Sequence, residues 1–340
     1  MKPVASPAAP AAPVRFSSSG LVVDGSAPLH HLLAFADTVL RGIGQVMLQN
    51  NSYAGLIFLA GVFYNATIFG LAVLVGTAAS SATATLLGVE RSQLRAGLFG
   101  FNGALVAIAL LYFLEPNALT WMYVVFAAAV STVLMAALLK LLSTWNMPVL
   151  TAPFVLTTLC FVLACARFGR LQSTQLLPTA GLPKNASVEG VVSVATVVQG
   201  LFNGVAQVFF QGNVITGIIF TLALLVASRL ACATALLGSL TGLLVAWVMG
   251  AAEPAIRSGA FGFNSVLTAL ALGSVFLVLN AAAAVYTLLA TAATAVVFAA
   301  VSAALEPLGM PALTLPFVLV VWLFVLASPL FTRLRLAENP

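Results

Sequence analysis

From Leu29 to Phe331 the chain is nearly continuous apolar sequence, broken only at Gly88–Arg95, Glu115–Pro116, Lys140–Pro148, Arg167–Gly190, Arg229, Glu253–Arg257 and Glu306–Pro311. A helix needs about 20 residues to cross the hydrocarbon core of a bilayer, and on that ruler the runs supply about ten spans plus two shorter pieces. Residues 1–28 differ. They are rich in Pro, Ala and Ser, show no periodic apolar pattern and read as a disordered tail. No apolar stretch follows early enough to make a secretory signal. The polar interval 167–189 reads as a linker between membrane regions at 29–166 and 190–332, with a short tail at 333–340.

Three short blocks recur in the same order. Gln45–Asn51 (QVMLQNN) with Gly55 lines up with Gln207–Asn213 (QVFFQGN) and Gly217 at an offset of 162. Phe99–Leu105 (FGFNGAL) matches Phe261–Leu267 (FGFNSVL) at the same offset, and Met147–Phe154 (MPVLTAPF) matches Met310–Phe317 (MPALTLPF) at 163. Three ordered matches at one spacing mean an internal duplication. With about five spans in each half, an odd number, the halves sit in opposite orientations in the bilayer. Transporters and channels use that arrangement, with the site near the midplane at the repeat interface. The expected fold is an all-α polytopic membrane protein of two inverted repeats.

Composition closes off other classes. The chain is 62% hydrophobic and 6% charged, where a soluble domain carries about 25% charged residues. A mean hydropathy of +1.13 leaves too little polar surface to cover a water-soluble core. A soluble enzyme, a nucleic-acid binder and a disordered scaffold are excluded. The 13 basic residues outnumber the 8 acidic ones, but most lie between apolar runs, where they orient helices. A cytoplasmic N-terminus puts Lys2, Arg15, Arg41, Arg91, Arg95, Lys140, Arg229, Arg333 and Arg335 inside, and Arg167, Arg170, Lys184 and Arg257 outside. That majority favours the orientation, against the sense of the midpoint linker. Cys160, Cys165 and Cys232 lie in apolar segments without metal-ligand spacing and read as buried thiols. His30 and His31 adjoin each other with no further ligand cluster, so neither a metal nor a cofactor is expected.

Each repeated block holds groups that a lipid-facing helix avoids. Gln45 and Gln49, and again Gln207 and Gln211, are four apart and on a helix share a face. An unpartnered amide in hydrocarbon costs roughly 2–7 kcal/mol. These side chains therefore serve either as glue between helices or as groups that meet a solute. Leu105 and Leu267 follow Phe101 and Phe263 by four residues, which suits core packing or the wall of a slot. In the third block two prolines bracket Thr151 or Thr314. Proline removes a backbone donor and frees the carbonyl four residues earlier. Irregular backbone of that kind is tolerated at membrane depth only where it is buried or lines a cavity.

The absences narrow the chemistry further. Glu90, Glu115, Glu253 and Glu306 fall at breaks, so the spans lack the central ionisable groups that ion coupling ordinarily uses. There is no phosphate-binding loop and no nucleophile–His arrangement. A pore lined by amides, hydroxyls and carbonyls between apolar faces suits a small, flat, uncharged solute rich in N–H donors. Urea fits first, with ammonia, water and small amides close behind.

Across Leu29 to Phe331 the sequence resembles the urea transporter family, most specifically in the paired MP-x-LT-x-PF and GFN blocks. The resemblance implies a passive urea channel with ten spans and two tilted re-entrant helices, at roughly 30–45 and 191–207. It implies a homotrimer in a bacterial plasma membrane, surrounded by lipid, with one pore per subunit. It assigns Gln45 and Gln207 to urea binding at the two wide ends of a filter. Leu48, Val208, Phe101 and Phe263 become the walls of flat slots, and Leu105, Leu267, Thr151 and Thr314 the narrow middle. Gln207 stands where some bacterial members carry Glu, and Leu48 where an aromatic gives a stiffer slot. Two other readings remain: a channel for ammonia, water or short amides, and a non-transporting receptor or assembly protein on the same bundle.

Overall fold

A computed structural model describes residues 14–23, 27–183 and 187–337. In the first half the helices are α1 (Pro28–Gln45), α2 (Ser52–Asn65), α3 (Thr67–Leu86), α4 (Arg91–Arg95), α5 (Phe101–Phe113), α6 (Ala118–Leu142) and α7 (Ala152–Cys165). In the second they are α8 (Val194–Ala206), α9 (Val214–Ala227), α10 (Arg229–Val248), α11 (Glu253–Arg257), α12 (Phe263–Leu270), α13 (Ala281–Leu305) and α14 (Leu315–Ala327). The same order of helices therefore appears twice. The starts of α2 to α5 recur 162 residues later, and those of α6 and α7 recur after 163. The change has a local cause. Beyond α12 the chain makes a π turn, Ala271–Phe276, which takes up one residue more than the end of α5.

Asparagines punctuate both halves in the same places. The Oδ1 atoms of Asn51 and Asn213 accept from Ala54 N at 3.0 Å and Thr216 N at 3.1 Å, starting α2 and α9. Asn117 and Asn280 do the same for α6 and α13. Each satisfies a first-turn N–H that has no partner within its own helix.

Thr67–Leu86, Ala118–Trp145, Arg229–Val248 and Ala281–Leu308 are long and apolar enough to cross a membrane singly. Ser52–Asn65, Phe101–Phe113, Ala152–Cys165, Phe263–Phe276 and Leu315–Leu330 are apolar but shorter, and Val194–Phe209 meets Val214–Ala227 at a bend of 73°. The even ladder of ten runs read from composition thus becomes helices of unequal length. The reason is that apolar stretches such as Met147–Thr151 and Met310–Thr314 are not helical.

One core joins the two halves. Ala104 to Leu110 of α5 have no exposed surface. Phe58 on α2 packs edge-to-face on Phe220, its repeat equivalent on α9, with centroids 5.3 Å apart. Glycines let the backbones approach. A side chain at Gly55 would collide with the Leu40 carbonyl, and one at Gly217 with that of Phe202. These crossings lock α2 onto α1 and α9 onto α8.

Part of the segment read as an unstructured tail is ordered. Strands β1 (Val14–Ser17) and β2 (Gly20–Val23) form an antiparallel hairpin on the first half. Leu21 N donates to Asp37 Oδ1 at 2.9 Å and the Tyr53 hydroxyl to Ser17 O at 3.1 Å. These partners lie far away in sequence, so local composition carries no trace of the hairpin. Residues 1–13 and 24–26 of the expected tail fall outside the described residues. One carboxylate, Asp37, does not fall at a break in the apolar pattern. It lies inside α1, buried, with Arg41 Nε 2.6 Å away.

Candidate functional site

Both glutamine blocks sit where a helix stops. α1 ends at Gln45, and the chain reverses through Leu48, whose φ is +59°. α8 runs into a short 3₁₀ turn, Gln207–Phe209, and reverses through Phe210, also at φ +59°. Left-handed backbone is costly for residues with a Cβ. The helix break also overturns one expectation, since the paired glutamines do not share a helical face. Gln49 Nε2 turns back on Met47 O at 2.9 Å, and Gln211 Nε2 on Phe209 O at 2.6 Å. Gln211 Oε1 also accepts from Asn65 Nδ2 at 2.6 Å. This inner pair holds its own turns.

Gln45 and Gln207 behave differently. Gln45 Nε2 donates to Ala96 O at 3.0 Å and Gln207 Nε2 to Ser258 O at 3.2 Å, each at the end of a short helix, α4 or α11. Ala96 and Ser258 are repeat equivalents. Among the described residues neither Oε1 has a partner. Each amide is thereby oriented by its nitrogen and keeps its acceptor free. Ala96, Asp37, Arg41, Asn50 and Arg95 line a cleft of about 270 Å³ against the hairpin. A larger groove, about 670 Å³, lies on the outer side of α13 against Phe331–Leu334 and contains none of the predicted site residues.

Phe101 and Leu105 stand on α5, Phe263 and Leu267 on α12, and both leucines are wholly buried. The repeat pairs Leu48 with Phe210 rather than with Val208. Val208 is the counterpart of Val46, and both are packed into the core at 2% and 1% exposure. The Phe210 ring instead reaches Tyr112, Phe113 and Phe154 at 5.4, 6.0 and 6.3 Å. Sequence reasoning misses Phe210, although its offset of 162 from Leu48 is the available signal.

The third block brings the halves together. Thr151 and Thr314 precede α7 and α14, and their Oγ1 atoms are 2.6 Å apart. They are repeat equivalents in direct contact. One hydroxyl donates to the other, which leaves one O–H and several lone pairs unspent. Of the two prolines in each block, Pro148 and Pro311 lie in the irregular backbone that the motif led one to expect, and the second of each pair enters a helix. Pro153 and Pro316 fall in the first turns of α7 and α14, where a missing N–H costs nothing.

The sequence matches the family described as Urea transporter over residues 36–329. The chain belongs to the urea transporter family. It is 33% identical over 313 residues to urea transporter 1 of Rattus norvegicus, covering 91% of this chain and 79% of that protein. It is 33% identical over 300 residues to urea transporter 1 of Ovis aries, covering 87% and 78%. Urea transporter family members are transporters rather than enzymes, and the apolar helices mark this member as an integral membrane protein. The family match spans the three repeated blocks of both halves. It therefore includes Gln45, Gln207, Thr151 and Thr314.

Proposed function

We propose that the chain is a passive, selective urea channel, with its pathway at the interface of two inverted repeats. The observation that carries this reading is the contact of Thr151 with Thr314 at 2.6 Å between equivalent points of the two halves. Gln45 and Gln207, where α1 and α8 end, add uncommitted amide oxygens. Urea offers four N–H bonds and one carbonyl in a flat frame. The amide oxygens accept from it at the wide ends, between the faces of Phe101, Phe263 and Leu48. Phe210 takes the wall position opposite Leu48 that the resemblance gave to Val208. In the middle, between Leu105 and Leu267, a passing urea exchanges the Thr–Thr bond for bonds to its own groups. An ion meets no compensating charge there and pays its full desolvation.

In this reading α2, α3, α5, α6 and α7 are the spans of one half, α9, α10, α12, α13 and α14 those of the other. α1 and α8 are re-entrant helices with a glutamine at each tip. Five spans per half set the halves in opposite orientations. The N-terminus is cytoplasmic, the membrane a bacterial inner membrane, and the assembly a homotrimer. The buried carboxylates Asp37 and Glu253 are each paired with an arginine on their own helix, which suits ion pairs at the mouths rather than a coupling site.

The deciding experiment is stopped-flow light scattering on proteoliposomes given an inward urea gradient, with and without a protonophore. Fast, protonophore-insensitive urea entry is expected. Ammonia or water flux without urea flux replaces the solute, and no flux of any of them leaves a receptor or assembly role.

A further inference from the structure

Thr151 and Thr314 occupy the N-caps of α7 and α14, where a threonine ordinarily turns its hydroxyl back to accept from the first turn of its own helix. Neither does so. Pro153 and Pro316 remove one first-turn donor from each helix. The next donor is taken by an asparagine from another helix. Phe154 N donates to Asn102 Oδ1 at 3.0 Å, and Phe317 N to Asn264 Oδ1 at 3.1 Å. The same asparagines extend Nδ2 to Leu150 O at 3.5 Å and Leu313 O at 3.0 Å. Leu150 and Leu313 are held at φ +56° and +50°, a conformation that leucine resists. Asn102 and Asn264 are 1% and 0% exposed. Each amide thus closes on both ends of the turn that carries the threonine.

We infer that Asn102 and Asn264 are positioning residues of the constriction. They cap α7 and α14 from outside and pin the left-handed leucines, so that the threonine hydroxyls are released from capping and meet each other. The inference rests on the proposed reading of Thr151 and Thr314 as the narrow middle of the pathway. Without the asparagine oxygen, the N–H of Phe154 or Phe317 is a buried orphan, and the nearby threonine hydroxyl is the replacement acceptor. The hydroxyl then rotates back into its cap and leaves the pathway. An asparagine that acts through the threonine loses its influence on permeation once the threonine has no hydroxyl.

The test is a double-mutant cycle of Asn264→Ala with Thr314→Val, reading urea permeability per folded protein and thermal stability. Asn264→Ala is expected to lower permeability about tenfold in the otherwise unchanged protein. In the Thr314→Val background the loss is expected to be under about twofold. Stability falls further in the Thr314→Val background, where no hydroxyl is left to accept from Phe317 N. An equal permeability loss in the two backgrounds overturns the inference. A crystal structure of Asn264→Ala reads the same point without any solute. Thr314 Oγ1 is expected on Phe317 N, and an unchanged Thr151–Thr314 pair overturns the inference. Absence of urea flux in the unmutated channel refutes the proposed function, and the crystal structure then decides the role of the asparagines. Should Asn264→Ala not fold, Asn102→Ala, with its longer 3.5 Å arm, carries both measurements against Thr151→Val.

Discussion

Around Thr151 and Thr314 several polar contacts of one half recur in the other, although the bond from Trp322 Nε1 to Pro148 O at 2.7 Å has no counterpart. Asn102 and Asn264 bracket equivalent turns, and the hydroxyls of Tyr123 and Tyr286 donate to Phe161 O and Phe324 O at 2.9 and 2.7 Å. Along α1 and α8 the charged pairs lack counterparts. The first half holds the Asp37–Arg41 ion pair under the hairpin, while the equivalent positions of the second are the uncharged Gln199 and Asn203. The second half instead pairs Glu253 with Arg257, where the first carries Arg91 and Arg95. The difference follows from what each region touches. At the centre Thr151 meets its own duplicate, Thr314, so a change in one copy disturbs both. Away from the centre each half meets its own surroundings, the hairpin on one side and the linker backbone at Glu189 on the other.

The largest test of this symmetry is steric. Gly55→Leu and Gly217→Leu each drive a side chain into a carbonyl of the neighbouring helix, and each is expected to cost more than about 4 kcal/mol and abolish folding. Size-exclusion profiles in detergent should show neither variant as a monodisperse species. If one half accepts leucine, the two crossings are not equivalent.

The amides come next. Gln45→Leu and Gln207→Leu each remove one acceptor from a half-buried position, a loss of about 1–3 kcal/mol, or roughly tenfold or more in urea flux. Comparable losses extend the central symmetry out to both glutamines. Unequal losses show that the differing charged pairs already act on the amides, and normal flux in folded Gln207→Leu removes that residue from the proposed site. Thr151→Val and Thr314→Val should slow permeation severalfold while leaving urea affinity at the ends intact, each losing one hydroxyl worth about 1 kcal/mol. A collapse of end-site affinity at unchanged permeation refutes the barrier role of the pair.

How much of this is legible in the sequence depends on whether the signal is a spacing or a contact. The duplication and the threonine motifs are spacings, and they locate the centre of the molecule directly. The repeated asparagine of the GFN block is visible too, but its partners, Leu150 and Phe154, lie about fifty residues on and appear only when α5 packs against α7. The turns after Gln45 and Gln207 leave no trace, because the residues that go left-handed are Leu48 and Phe210, whereas glycine or asparagine is the usual marker. That hidden reversal explains why spacing alone groups Gln49 and Gln211 with the outer glutamines. The hairpin is illegible for a similar reason, since Asp37 and Tyr53 hold it in place.

The smallest effect separates the halves by pH. The Thr196 hydroxyl, 2.5 Å from Glu253 Oε1, and then Arg257 hold the Glu253 carboxyl below its ordinary value of 4.5. A carboxylate whose folded pKa is depressed contributes stability that is fully present above its unfolded pKa. That contribution is lost as the pH falls through the lowered folded value. The position equivalent to Glu253 is Arg91, so the first half carries no carboxylate at this point of the repeat. Melting temperatures of the unmutated protein and of Glu253→Gln, followed from about pH 7 to about pH 3, should differ most at neutral pH and converge in acid. A difference that stays constant over this range means that the carboxylate's charge contributes nothing to the fold. In that case the hydrogen bond from Thr196, which a glutamine can also accept, is what the second half uses in place of the Asp37–Arg41 pair.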